Sequence, residues 1–172
     1  RFALGSVGAG YGATTVDLKG GLGSASAVTS AGHAVGAVVA VNALGSAVIG
    51  GGPHFWAAPF EIGSEFGGLG WPSPLGPDAR ALAWKGGSEP ATTLAIVATD
   101  ATLTHAMTKR LAIAANDGLA RGLRLAHALF DGDTVFAAST ASRPLADPIA
   151  DQIEIGAVAA DCVARAIARA VY

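Results

Sequence analysis

The segment ATTLAIVATD places two adjacent threonines after Ala91, at the start of an apolar run. β-Branched residues are common in strands, so the pattern alone is typical of the beginning of a strand. A second interpretation gives Thr92 a chemical role. If the chain is cut between Ala91 and Thr92, the new α-amine, with a pKa near ~8, can take the proton of the threonine's own hydroxyl group. Such a nucleophile needs no histidine partner, and none of the four histidines lies in a convincing catalytic motif.

An N-terminal nucleophile also needs a donor for the oxyanion and acidic groups that orient its amine and hydroxyl. Asn42 ends an apolar stretch, where a buried amide requires hydrogen-bond partners. Asp131 and Asp133 flank a glycine just before another strand-like run. Taken singly, Asn42 also suits a turn and Asp-Gly-Asp an ordinary hairpin, so each motif alone favours a structural interpretation.

Composition restricts the classes of function. A length of 172 residues suits one domain covering 1–172. The composition, with 51% hydrophobic and 14% charged residues, is typical of a folded chain. The net charge of −2, without a cluster of basic residues, argues against a nucleic-acid partner. A single cysteine, Cys162, leaves no intramolecular disulfide, and we expect neither a metal nor another cofactor. The apolar run 34–52 contains Asn42 and several glycines, so a pair of buried strands fits it better than a membrane span.

Periodicity predicts strands, a long excursion, and then a strand, a helix, a strand and a helix. The excursion, 52–90, is rich in Gly, Pro and Trp, and we expect little regular structure in it. The strand at 34–42 is almost wholly apolar, which predicts burial on both faces. Both helices are expected to cover one sheet in two layers. The predicted strands are 25–30, 34–42, 45–51, 92–100 and the second part of 131–140; the predicted helices are 102–124, capped by Thr102, and 148–172.

Each predicted helix has an apolar stripe that we expect to face the core. In the first helix the stripe consists of Leu103, Met107, Leu111, Ala114, Ala115, Leu119 and Leu123. In the second it consists of Ile149, Ile153, Ala157, Ala160, Val163, Ile167 and Val171.

Several segments together resemble the L-aminopeptidase/D-esterase family, which includes β-peptidyl aminopeptidases and the nylon-oligomer hydrolase. They occur in the family's order and cover most of the chain except the excursion. The resemblance implies an α/β fold of the N-terminal-nucleophile type, an α/β/β/α sandwich, with this chain a partial domain of two long helices on a mixed sheet. The segments are GSVGAGYGATTVDLKGGLGSAS (5–26), VGAVVAVNALG (35–45), ATTLAIVATDATLTHAMTKRLA (91–112), NDGLARGL (116–123) and DGDTVFA (131–137).

The resemblance also implies roles for particular residues. Thr92 matches the nucleophile, which is freed when the precursor cuts itself after Ala91. Asn42 matches the asparagine that is taken to stabilise the oxyanion. Asp131 and Asp133 match the pair that bonds to the nucleophile region.

Lys19, in LKGG, matches a recurrent lysine near the family's site whose role is less defined, and which can simply anchor the glycine loop. Two features depart from the family pattern. Ala91 stands where asparagine is commonest, and the loss of that side chain can slow self-cleavage. Family members also carry a further N-terminal portion of comparable size, so we expect this chain to be partial and to need that portion as a partner.

The expected function is a self-processing hydrolase of short peptides or of aminoacyl amides and esters. We expect a cytoplasmic homotetramer or larger assembly, with the periplasm as the alternative location. One rival is a non-catalytic relative that serves as a binding or assembly module. Another is an acyl transferase of the ornithine acetyltransferase type, whose usual Ala-Thr cutting site is matched by Ala91 and Thr92. The flanking VATD, KGG and DGDTVFA segments fit the aminopeptidase family better.

Overall fold

The computed structural model describes residues 2–86 and 90–172, which form a four-stranded sheet with two long helices. Arg1 and residues 87–89 of the predicted excursion lie outside the described residues. The strand order is β1-β2-β3-β4; β1, β2 and β3 pair antiparallel, whereas β3 and β4 pair in parallel across a helical connection. The elements are β1 (Gly21–Val28), β2 (Ala34–Asn42), β3 (Thr92–Ala101), α1 (His105–Gly122), β4 (Thr134–Arg143) and α2 (Pro148–Val171).

The two faces of the sheet differ in burial. Alternate residues of β2, from Val35 to Val41, are buried beneath the helices, together with alternate residues of β3, from Thr93 to Thr99. On the other face Val38 and Ala40 of β2 are only partly buried, and Leu94 and Ile96 of β3 are 48% and 47% exposed. The prediction that 34–42 is buried on both faces was therefore wrong. A run of small and β-branched residues satisfies a half-covered strand as well as a fully covered one.

Helix α1 begins later than predicted. Thr104, not Thr102, is the N-cap, and its Oγ1 accepts a hydrogen bond of 3.3 Å from the Met107 amide. Thr102 instead donates its backbone N–H to the Arg143 carbonyl, 2.7 Å away, and this hydrogen bond extends the pairing of β3 with β4 past the end of β3. The predicted core stripe of this helix is confirmed at Leu111, Ala115, Leu119 and Leu123, which are all buried.

The apolar stripe of α2 was predicted on the wrong residues at its N-terminal end. Ile149 and Ile153 are 75% and 69% exposed, and Ala157 is also exposed. The helix packs on β1, β2 and α1 at once, so every residue of 162–168 is buried. Small residues allow this close approach: a Cβ on Gly23 would collide with the carbonyl oxygen of Ala166. An alanine-rich helix offers more than one acceptable face, and periodicity could not choose between them. The buried residues of its first half are Asp151, Ile155, Gly156, Ala159 and Ala160.

Residues 45–51 do not form the predicted strand. They make two isolated bridges instead, Ser46 with Arg124 and Val48 with Phe55. The first strand is longer than predicted and begins at Gly21 rather than at residue 25.

The excursion carries two short 3-10 turns, Ala58–Phe60 and Pro77–Arg80, and it is tied to the core by an ion pair. Glu65 accepts hydrogen bonds from Nε and Nη2 of Arg165 on α2, at 2.5 and 3.0 Å. The side chains are only 15% and 6% exposed, so this pair is a substantially buried anchor.

Candidate active site

Neighbouring strand ends bring four of the predicted site residues together. Asn42, the last residue of β2, lies opposite Thr92, the first residue of β3, in the antiparallel register. Ala91 forms a parallel bridge with Asp131, and Asp133 immediately precedes β4. Residues about 40 to 90 positions apart in sequence thus meet where the ends of three neighbouring strands lie side by side.

The Thr92 hydroxyl group lies against the peptide bond that precedes it. Its Oγ1 donates to the carbonyl oxygen of Ala91 at 2.5 Å. The same carbonyl oxygen accepts the backbone N–H of Gly132 at 3.0 Å. A Cβ on Gly132 would lie 2.5 Å from Thr92 Oγ1, so the glycine is needed for this close approach. Both donors therefore bind the Ala91 carbonyl oxygen, the atom that would carry the negative charge of an oxyanion.

Asn42 is oriented by two donors at the oxygen of its amide group and by an acceptor at the nitrogen. Its Oδ1 accepts the Thr14 N–H at 3.0 Å and the Lys85 ammonium group at 3.0 Å. Its Nδ2 donates to the carbonyl oxygen of Pro90 at 2.9 Å. In the uncut chain, therefore, Asn42 binds the carbonyl one residue before that of Ala91, and the Gly132 N–H takes the position predicted for the asparagine.

Asp133 joins β3 to the loop that precedes β4. Its side chain is 1% exposed, Oδ1 accepts the Thr93 N–H at 2.9 Å, and Oδ2 accepts the His127 N–H at 3.0 Å. The Nδ1 atom of His127 also lies 3.3 Å from Oδ2. Leu125, His127 and Phe130 in this loop have positive φ angles of 66°, 56° and 69°. Such strained backbone is rare outside glycine and persists where the surroundings fix it, often at functional sites.

Asp131 is held in an unusual electrostatic state. Both of its carboxyl oxygens are shielded from solvent, and within the described residues neither makes a hydrogen bond of good geometry. Burial, and then the adjacent Asp133 carboxylate, raise the pKa of Asp131 to about 7, against the opposing influence of Lys85 and the nearby Leu44 amide. A carboxyl group of this kind titrates near neutral pH, and among residues 2–86 and 90–172 it has no hydrogen-bond partner of good geometry.

Lys19 lies apart from this group. Its side chain is exposed, and within the described part of the chain no hydrogen bond or ion pair involves it. Its backbone bridges to Thr14, whose N–H reaches Asn42. The lysine that contacts Asn42 directly is Lys85, from the excursion, which sequence reasoning missed because a lone lysine in AWKGG carries no chemical signal. The Gly132 N–H was also missed, although the Asp-Gly-Asp pattern contains it.

Comparisons with known proteins identify the family of this chain. The model of peptidase family S58 matches residues 1–172. The chain belongs to peptidase family S58. An uncharacterized aminopeptidase of Mycobacterium leprae is 45% identical to it over 179 aligned positions, and the match covers 98% of this chain and 49% of that protein. The chain thus spans about half the length of this relative.

Two solved structures resemble the S58 chain in fold. A β-aminopeptidase from a Burkholderia species has 26% identity and a TM-score of 0.64, covering 99% of this chain and 46% of its own. The second is the L-aminopeptidase D-Ala-esterase/amidase of Ochrobactrum anthropi, described as a variant of the Ntn hydrolase fold. It has 22% identity and a TM-score of 0.61, covering 99% of this chain and 45% of its own. The fold is therefore α/β of the Ntn hydrolase type, and the described residues supply two helices and a mixed four-stranded sheet.

Two further properties concern residues 2–86 and 90–172. No group of three or more His, Cys, Asp or Glu side chains in these ranges is arranged to hold a metal ion. No helix within them combines the length and apolarity required to cross a membrane.

Proposed function

We propose that this chain carries the active site of a self-processing hydrolase, in which cleavage after Ala91 frees Thr92 as the nucleophile. The observation that carries the proposal is the contact of Thr92 Oγ1 with the Ala91 carbonyl oxygen at 2.5 Å, beside the Gly132 N–H at 3.0 Å. This places a hydroxyl group, an electrophilic carbonyl and an oxyanion donor together in the uncut chain.

The first reaction is the self-cleavage. Thr92 Oγ1 forms a bond to the carbonyl carbon of Ala91 while the hydroxyl proton passes to the Thr92 nitrogen, and the carbon–nitrogen bond then breaks. The product is an ester between Ala91 and the Thr92 side chain, with a free α-amine on Thr92. Water then hydrolyses the ester, which leaves a carboxylate on Ala91 and restores the hydroxyl group. The Gly132 N–H stabilises the negative charge on the carbonyl oxygen in both steps.

The second reaction acts on a substrate amide by the same chemistry. The free α-amine of Thr92 takes the hydroxyl proton as Oγ1 attacks the substrate carbonyl, and the proton is then given to the leaving amine. Asn42 Nδ2, released from the Pro90 carbonyl once the cut strand end moves, is available to the substrate oxyanion. A donor in such a position is often worth ~3 kcal/mol in the transition state. Water then cleaves the acyl-enzyme ester.

The state of Asp131 and Asp133 supports this sequence of events. Asp131 has no hydrogen-bond partner of good geometry within the described ranges, and cleavage creates an α-ammonium group on the adjacent strand. Asp133 already holds the Thr93 N–H and so fixes the start of β3. We assign Asp131 to the ammonium group and Asp133 to the placement of the nucleophile. Lys19 keeps an anchoring role, since its backbone bridges to Thr14, whose N–H binds Asn42.

The substrates we propose are short peptides or aminoacyl amides and esters with a free amino terminus. The family assignment and the aminopeptidase and β-aminopeptidase relatives support this class. We also propose a homotetramer or larger assembly, in the cytoplasm. The exposed sheet face around Leu94, Ile96 and Phe136 supports the proposal that a further part of the protein, of comparable size, covers it.

The test uses the full-length protein, with intact mass and an aminoacyl p-nitroanilide assay as readouts. Wild type is expected to give two fragments, the second beginning at Thr92, and to hydrolyse the anilide. Thr92→Ala should remain a single inactive chain, whereas the matched control Thr92→Ser retains a hydroxyl group and should still cut. Two fragments from Thr92→Ala would place the nucleophile elsewhere. A folded wild type of a single mass would favour a binding module, and transfer from acetylornithine without anilide hydrolysis would favour an acyl transferase.

A further inference from the structure

The excursion contributes a lysine to the site. The Lys85 backbone N–H donates to the Leu44 carbonyl oxygen at 3.0 Å, which fixes this part of the excursion beside the end of β2. Its Nζ lies 3.0 Å from Asn42 Oδ1 and 3.4 Å from the Asn42 carbonyl oxygen. The whole residue is only 7% exposed. A buried ammonium group is costly unless acceptors surround it, so this position is maintained by specific contacts.

The chemistry of lysine fixes the direction of the Asn42 amide. An ammonium group has donors and no acceptor, so the side-chain atom of Asn42 that faces Lys85 must be the oxygen. The Thr14 N–H, also a donor, faces the same oxygen at 3.0 Å. The amino group of Asn42 is thereby directed to the other side, where it meets the Pro90 carbonyl next to the bond that precedes Thr92.

We propose that Lys85 is a positioning residue, which holds the Asn42 amide so that Nδ2 is available to the oxyanion of a substrate once the Pro90 carbonyl has moved away after the cut. This inference rests on the proposed function, because it assigns Lys85 a part in that same site. Lys85 lies on the fragment that ends at Ala91, and its backbone bond to Leu44 keeps it in place after the chain is cut. The positive charge of Lys85 also lowers the pKa of Asp131, against the effects of burial and Asp133, and so favours the carboxylate that receives the Thr92 ammonium group.

The experiment compares Lys85→Met with wild type in the full-length, processed protein, using an aminoacyl p-nitroanilide. Methionine keeps an apolar stem but removes the donors and the charge. We expect kcat to fall by up to about 100-fold, the effect of displacing a catalytic group by about 1 Å, while KM changes little. The acidic limb of the pH profile should move to higher pH, because the pKa of Asp131 rises without the nearby charge. Lys109→Met, at an exposed position on α1, is the matched control and should leave both properties unchanged.

A double-variant cycle separates positioning from a general structural role. If Lys85 acts through Asn42, the effect of Lys85→Met on kcat should disappear in an Asn42→Ala background. If Lys85→Met does not fold, Lys85→Arg provides the comparison. It keeps the charge, so kcat should fall with an unchanged pH profile. Two outcomes would overturn this inference alone, provided that wild type cuts before Thr92 and is active. One is that the losses from Lys85→Met and Asn42→Ala are additive. The other is that the Lys85 variants leave kcat and the pH profile unchanged. A wild type that neither cuts nor hydrolyses the anilide would instead count against the proposed function.

Discussion

Gly132 lies directly against Thr92, with its backbone N–H bonded to the carbonyl group that the threonine hydroxyl contacts. The distance of 2.5 Å between a Cβ built on Gly132 and Thr92 Oγ1 leaves no room for any other residue type without movement of the hydroxyl group. The short distance to Thr92 thus accounts for a glycine between Asp131 and Asp133.

Gly132→Ala is expected to fold but to cut itself at least about tenfold more slowly. The added methyl group must rotate Thr92 Oγ1 away from the Ala91 carbonyl, and the contact that holds the hydroxyl group beside this carbonyl is lost. The conversion of one chain into two fragments, followed by intact mass, measures the rate. Gly36→Ala in β2 is the control, since its Cβ would meet neighbours at an ordinary 3.8 Å. Equal cutting rates in both variants would contradict the proposed geometry.

Asp131→Asn should change how the stability of the uncut chain depends on pH. The folded-state pKa of Asp131, about 7, lies above its unfolded value of about 3.9, so the folded state binds the extra proton between these values. Stability contributed by this group is therefore present below pH ~4 and is lost as pH rises to ~7. In a Thr92→Ala background, Asp131→Asn should be more stable at pH 8, by on the order of 1 kcal/mol.

Urea unfolding at pH 5 and pH 8 measures this effect in both chains. Asp117→Asn, at an exposed position on α1, should leave the difference between the two pH values unchanged. If Asp131→Asn also leaves the difference in stability between pH 5 and pH 8 unchanged, the pKa of the Asp131 carboxyl group is not raised in the folded chain.

Asp133→Asn should destabilise the uncut chain by roughly 1–3 kcal/mol. The carboxylate accepts the Thr93 and His127 N–H groups with separate oxygens, and an amide has an oxygen for only one of them. The other N–H would face the amino group of the new side chain in a buried position. Urea unfolding in the Thr92→Ala background measures the loss, and slower self-cleavage is expected when Thr92 is present. A stability equal to that of the parent chain would show that one of the two bonds is dispensable.

Glu65→Gln is expected to cost about 3 kcal/mol, because it leaves the buried Arg165 guanidinium group without its carboxylate. Burial alone would raise the pKa of Glu65, but hydrogen bonds from Arg165 and the Ile62 amide lower it overall. The pair therefore stabilises the fold above the unfolded pKa of about 4.3, and this stability is lost as pH falls through the lower folded value.

The half-exposed pair of Arg121 and Asp161 provides the control for this prediction. Asp161→Asn should cost less than about 1 kcal/mol, because solvent screens the interaction. Thermal unfolding near neutral pH compares the two variants, and equal losses would show that the excursion is not anchored through Glu65.

Periodicity and residue type alone predicted much of the secondary structure and the order of its elements. The strand starting at Thr92, the strand after Asp133 and both long helices follow from local patterns, because alternation and helical spacing report which side of an element is buried. The N-terminal part of the α2 stripe and the strand at 45–51 were wrong, whereas Ala160, Val163 and Ile167 of that stripe are buried as predicted. In α2 small residues allow several packing faces, and in 45–51 a loop uses isolated bridges in place of a ladder.

The sequence by itself determined which residue types are available for chemistry: a threonine at a strand start, an asparagine at a strand end and two aspartates around a glycine. Only the tertiary structure decided that Thr92 lies beside Gly132, that Asn42 faces Pro90, and that Lys85 rather than Lys19 contacts Asn42. These relationships depend on strand register and on where an irregular excursion returns to the sheet. Both are set by packing between distant segments, which local sequence patterns do not encode.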